Sequence, residues 1–78
     1  MARISVGHRL GRYRVVLSGK LEASDLKRLE RACRHALEHK HVPLELNLTR
    51  VTEMDETARH YIDRLVARGA AVQSDHRS

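Results

Sequence analysis

Residues Pro43 to Val72, PLELNLTRVTEMDETARHYIDRLVARGAAV, decide the fold. Leu44, Leu46 and Leu48 alternate with Glu45, Asn47 and Thr49, the period of a strand with one wet face. A polar elbow follows, Thr49 to Asp55. Ala58, Tyr61, Ile62, Leu65 and Val66 then recur at helical spacing. Gly69 stands one residue past Arg68, where a helix-ending glycine belongs, and Ala70 to Val72 reads as a short second strand. Strand, crossover helix and strand make a right-handed parallel unit. Such units place function where the strand hands over to the helix, here Met54-Asp55-Glu56-Thr57-Ala58.

Upstream, Arg3 to Leu10 alternates, Gly11-Arg12 reads as a turn, and Tyr13 to Leu17 is rich in β-formers. This predicts an antiparallel hairpin that ends at Ser18-Gly19. Lys20 to Ala23 leads to a helix capped by Ser24, with Asp25 in its first turn. Leu26, Leu29, Cys33, Ala36 and Leu37 form the apolar stripe of that helix, which fades near His39-Lys40 ahead of Pro43. The element order is therefore β-β-α-β-α-β. Each strand alternates, so the reading is an α/β fold with a four-stranded mixed sheet and both helices on one face. The other face shows Arg14, Glu45, Asn47 and Thr49. One domain spans residues 3–73, and 74–78 is a polar C-terminal tail.

The chain has 78 residues, and a domain of this size buries only about 60% of its unfolded surface. It contains no Trp or Phe. Fifteen Lys and Arg against ten Asp and Glu give a formal charge of +5, read along the sequence as spread rather than gathered in a tail. One cysteine, Cys33, precludes an internal disulfide and suits a reducing compartment. No apolar run reaches the length of a membrane span, and the N-terminus lacks the apolar centre of a signal peptide. The expectation is a cytoplasmic protein with no membrane partner.

Two stretches, VVLSGKLEASDLKRLERACRHAL from Val15 and LELNLTRVTEMDETARHYIDRLVARGAAV from Leu44, together resemble the STAS domain of bacterial anti-sigma-factor antagonists. The shared features are the Gly-centred turn at Leu17 to Leu21, the Leu46-Asn47-Leu48 strand and the helix-opening turn Arg50 to Ala58. Gly69, after the helix, completes them. The resemblance covers roughly Tyr13 to Val72. It implies a protein–protein interaction module of bacterial signalling and transcription regulation, not an enzyme, with no cofactor. The implied partner is an anti-sigma factor, a kinase-like regulator or a larger signalling assembly. The implied contact residues are Asn47, Thr52, Asp55, Glu56 and Thr57. Thr57 falls at that family's phosphorylated position and could accept phosphate. Glu56 and Ala58 depart from the motif, so the expectation is an unphosphorylated Thr57. The sequence also stops where the family continues with a further helix, strand and helix, a shortening that leaves the last strand an open edge. A symmetric homodimer around the second helix or the last strand is the expected remedy.

Simpler explanations stand beside these. Asp55 and Glu56 suit any helix start, and Thr52 followed by Asp55 resembles a capping box. His35 and His39 have metal-ligand spacing, with His41 close by and His60 on the second helix. No further ligand completes a set of three or four, so they read as solvated histidines and no metal site is assigned. No paired carboxylates or nucleophile–base order point to catalysis. The alternative function is a small basic nucleic-acid-associated protein. The lack of an aromatic platform and of a helix-turn-helix argues against it, as do arginines on several faces.

Overall fold

The computed structural model describes residues 2–38 and 43–74, with all their side chains except those of Arg9 and His35. The elements are β1 (Arg3–Arg9), β2 (Arg12–Leu21), a 3₁₀ turn (Ala23–Asp25), α1 (Leu26–Glu38), β3 (Leu44–Met54), α2 (Glu56–Ala67) and β4 (Ala71–Gln73). The sheet order is β1-β2-β3-β4, with β1 antiparallel to β2 and the other pairs parallel. Two crossovers between neighbouring parallel strands put α1 and α2 on one face. Val15, Leu17 and Leu21 of β2 and Leu44, Leu46 and Leu48 of β3 meet Leu29, Cys33 and Ala36 of α1 there. Ala58, Ile62 and Leu65 of α2 complete the core. The mixed four-stranded α/β architecture is the expected one.

The hairpin turn lies one residue earlier than the sequence suggests. Leu10 and Gly11 are its two central residues, both with positive φ (55° and 75°), and Arg12 already pairs with Arg9. That is the backbone of a type I′ turn, whose twist matches the strands it joins. Leu10 is 91% exposed there.

Both central strands run further than their alternation predicts. β2 does not end at Ser18-Gly19 but continues to Leu21, and the stretch read as an elbow, Thr49 to Asp55, is the second half of β3 as far as Met54, with Asp55 the cap of the next helix. The cause is a pair of bulges. From Val16–Asn47 to Ser18–Arg50 the ladder advances two residues on β2 and three on β3. From Gly19–Val51 to Lys20–Glu53 it advances one and two. Each bulge adds a residue to β3 and breaks the period-two pattern. Asn47 braces the first: its Oδ1 accepts from the Thr49 N–H at 3.0 Å and the Thr49 hydroxyl at 2.7 Å. Gly19 lies between the two shifts at φ 85°, a backbone that costs a residue with a side chain about 1–2 kcal/mol.

The helix boundaries follow from capping. Ser24 is not the cap of α1. The chain enters through the 3₁₀ turn behind Glu22, whose N–H donates to Asp25 Oδ2 at 2.9 Å. At the end of α2 the Gly69 N–H donates to the Val66 carbonyl and the Ala70 N–H to the Leu65 carbonyl, closing a Schellman motif around the glycine the sequence marked. β4 then starts one residue later than expected and pairs only with Glu45 to Asn47. Ile62 and Leu65 are buried and Tyr61 half-buried, whereas Val66 stays 46% exposed. The α2 stripe is thus largely covered within the chain.

Candidate functional site

The handover from β3 to α2 is fixed by one side chain. Asp55 is the N-cap of α2: its Oδ1 accepts from the Ala58 N–H at 2.8 Å. Its Oδ2 accepts from the Ala23 N–H, also at 2.8 Å, across to the 3₁₀ turn. The Asp55 N–H meanwhile donates to the Leu21 carbonyl at the end of β2. One carboxylate therefore ties together the two chain segments that leave the same edge of the sheet. Both oxygens are engaged, so Asp55 positions its neighbours.

Those neighbours face solvent. Glu56 and Thr57 open α2 with exposed side chains, and Glu56 stands 3.8 Å from His60 Nε2, one helical turn on. That contact is an ion pair only when His60 is protonated, and at such exposure it contributes little. Thr52 is exposed at the second bulge, on the same end of β3. It lies within the strand and is not part of a capping box, because Asp55 caps the helix directly. Asn47 lies five residues back along β3, roughly 15 Å by strand rise, and its amide oxygen braces the first bulge. The fold thus brings Thr52, Asp55, Glu56 and Thr57 to one end of the sheet and leaves Asn47 apart.

Beside this junction lies a groove that the sequence reading missed. Its volume is about 550 Å³, and Val51, Met54, Ile62 and Val66 supply apolar walls while Arg59 and Asp63 line its rim. It opens because β4 covers only the first part of β3. A signal was present: two polar residues, Thr49 and Arg50, stand between Leu48 and Val51 where strict alternation allows one.

Behind the junction, Cys33 is fully buried, and burial pushes its thiol up to about 11. Burial also raises the Tyr61 hydroxyl, with Cys33 and Glu30 adding to the shift, which ties α2 to α1. Among the described residues no three His, Cys, Asp or Glu side chains converge to hold a metal. His39 and His41 lie outside the described residues, and so do residues 75–78 of the expected tail. No helix among the described residues is long and apolar enough to cross a membrane.

No protein-family model matches the sequence, and no curated protein matches it. Solved structures do match the fold. The crystal structure of Mglu superposes on 95% of this chain with a TM-score of 0.69 at 23% identity. This chain spans only 19% of that one. An uncharacterized DUF3478-family protein with a SpoIIAA-like fold, from Shewanella loihica PV-4, covers 97% of this chain at a TM-score of 0.65 and 15% identity, over 69% of its own length. Mglu in its glutamate form matches with a TM-score of 0.52 at 17% identity. The chain has the SpoIIAA-like, STAS-type fold.

Proposed function

We propose that this chain is a non-enzymatic protein–protein interaction module of signalling type, whose partner contacts the start of α2 at Glu56 and Thr57. One observation carries the reading: the Asp55 carboxylate, bonded to both Ala23 and Ala58, fixes the backbone while the next two side chains stand in solvent. A surface held in place before its partner arrives loses less entropy on binding. The resemblance to anti-sigma-factor antagonists supports the same end of the sheet and a regulatory protein as the partner. That the fold also matches a fifth of the longer Mglu chain supports a module. Thr57 stays unphosphorylated in this reading, with Glu56 supplying the negative charge.

The test is a comparison of baits in the native host. Glu56→Ala with Thr57→Ala should leave the melting temperature within about 5 °C, since exposed changes of this kind stay within about 0.5 kcal/mol each. The same variant should lose a partner that the wild-type chain retains. Equal capture by both proteins would place the contact elsewhere.

A symmetric dimer belongs to the same proposal. Val66 and Val72, 46% and 37% exposed, flank the groove where the side of β3 turned away from β2 has no paired strand beyond Asn47 among the described residues. Sedimentation equilibrium at micromolar concentration should give twice the 9.0 kDa chain mass, and Val66→Asp should return it to the monomer. Leu65, only 2% exposed, is core and takes no part.

A further inference from the structure

We propose that the helix-free face of the β1–β2 hairpin binds the phosphate backbone of nucleic acid, a function separate from the junction at α2. The net charge of the chain sits at its N-terminal end. Among the first 21 residues the charged ones are Arg3, Arg9, Arg12, Arg14 and Lys20, and none is acidic. The other residues hold ten basic and ten acidic groups, so, contrary to the expectation of a spread charge, the +5 is the charge of the hairpin. Arginines on α1 and α2 do fall on other faces, as the sequence suggests, but acids balance them there.

The ladder then decides which way these cations point. Val15, Leu17 and Leu21 are buried under the helices, so the alternate residues of β2 face away. Arg12, Arg14 and Lys20 are exposed on that side. Arg3 pairs with Ser18 and shares its face. Arg12 and Arg14 are about 6.8 Å apart along the strand, and β1 lies about 4.8 Å to the side. The result is a plane of cations with nothing acidic inside it. Acids begin only at the border with β3, where Glu45 meets Arg14 at 3.3 Å and Glu53 meets Lys20 at 3.7 Å. Lys20 and Glu53 are both exposed, so exchanging that contact for phosphate costs little, while Arg14 is itself exposed although its partner Glu45 is half-buried.

Three features select the occupant. Arginine predominates, and its planar fork matches phosphate oxygens in pairs. No aromatic ring lies on this face: Tyr13 turns to the core side, stacked on His8 with ring centroids 4.7 Å apart. The surface therefore follows the backbone and does not stack bases, which excludes a single-strand platform and sequence readout. The face also lacks the apolar centre of a protein interface, because Ser5, Gly7 and Ser18 surround Val16, its single apolar residue. An acidic protein would find charge here but no apolar anchor.

The test uses the full chain and a labelled random-sequence duplex of 20 base pairs, read by fluorescence anisotropy. Four cations on phosphates should give a slope of log K against log salt of about −3 to −4. Arg3→Gln, Arg12→Gln and Arg14→Gln together should weaken binding at least tenfold and reduce the slope to about −1. Lys27→Gln, Arg31→Gln and Arg34→Gln, exposed on α1, remove the same charge and should change affinity less than twofold. Amide shifts of the wild-type chain on adding the duplex should map to β1 and β2, which keeps the question decidable if the hairpin variant melts early. Four results would overturn the proposal: no binding by the wild type at 50 mM salt, equal loss in both triple variants, shifts confined to α1 or α2, or displacement by polyglutamate at equal charge concentration. The last would make the face a docking surface for acidic protein.

Discussion

Asp25→Ala is expected to destabilise the fold by about 3 kcal/mol, the cost of leaving the partners of a buried carboxylate without it. Asp25 is 1% exposed. Its Oδ2 accepts from the Glu22 N–H at 2.9 Å and from the Ala2 N–H at 3.4 Å. Its Oδ1 takes the Arg28 guanidinium at 2.7 Å, and the same nitrogen of Arg28 reaches the Ala2 carbonyl at 2.7 Å. Removing the carboxylate frees the start of β1, the entry to α1 and the Arg28 guanidinium together. In a domain this small the loss corresponds to a melting shift of about 15 °C. A shift of only a few degrees by calorimetry would show that the cluster relaxes onto water.

The same group sets an acid limit. The Glu22 N–H, ahead of the Arg28 charge and the Ala2 N–H, holds the Asp25 carboxyl below its ordinary 3.8 although burial acts the other way. A carboxyl lowered in the folded state contributes stability that is complete above its unfolded value and is lost as pH falls through the folded one. Melting temperature should therefore fall as pH drops below about 4 in the wild type, and Asp25→Asn should lessen that part of the decline.

Asp55→Ala is expected to cost about 2 kcal/mol, roughly half for the lost cap on α2 and half for the unpaired Ala23 N–H. Asparagine at this position carries one accepting oxygen where the carboxylate has two, so Asp55→Asn should retain one bond and fall midway. Urea midpoints for the three proteins check the order. Their partner binding should track stability, in contrast to the paired change at Glu56 and Thr57, which should alter binding alone. If Asp55→Ala melted like the wild type, the carboxylate would be free to serve a partner directly.

The difference between Asp55 and Glu56 shows where sequence reading ends. Both are acids at a helix start, and local preference treats them alike. Only the arrival of Ala23 from 32 positions away gives Asp55 its second bond. Asn47 is a similar case: its place in a leucine-flanked strand was legible, but its task of bracing a bulge depends on how β2 and β3 slide past each other.

The sequence by itself determined the order of elements, the single covered face and the glycine that ends α2, because periods of 2 and 3.6 and left-handed backbone are local properties. It also held the imbalance of charge in the first 21 residues. Tertiary structure alone decided that four of those cations share one open plane, that β3 runs through the apparent elbow, and that β4 stops short beside a groove. Each of these depends on strand register, which is fixed by contacts between residues far apart in the chain; the broken alternation at Thr49-Arg50 marks an irregularity without fixing what it pairs with.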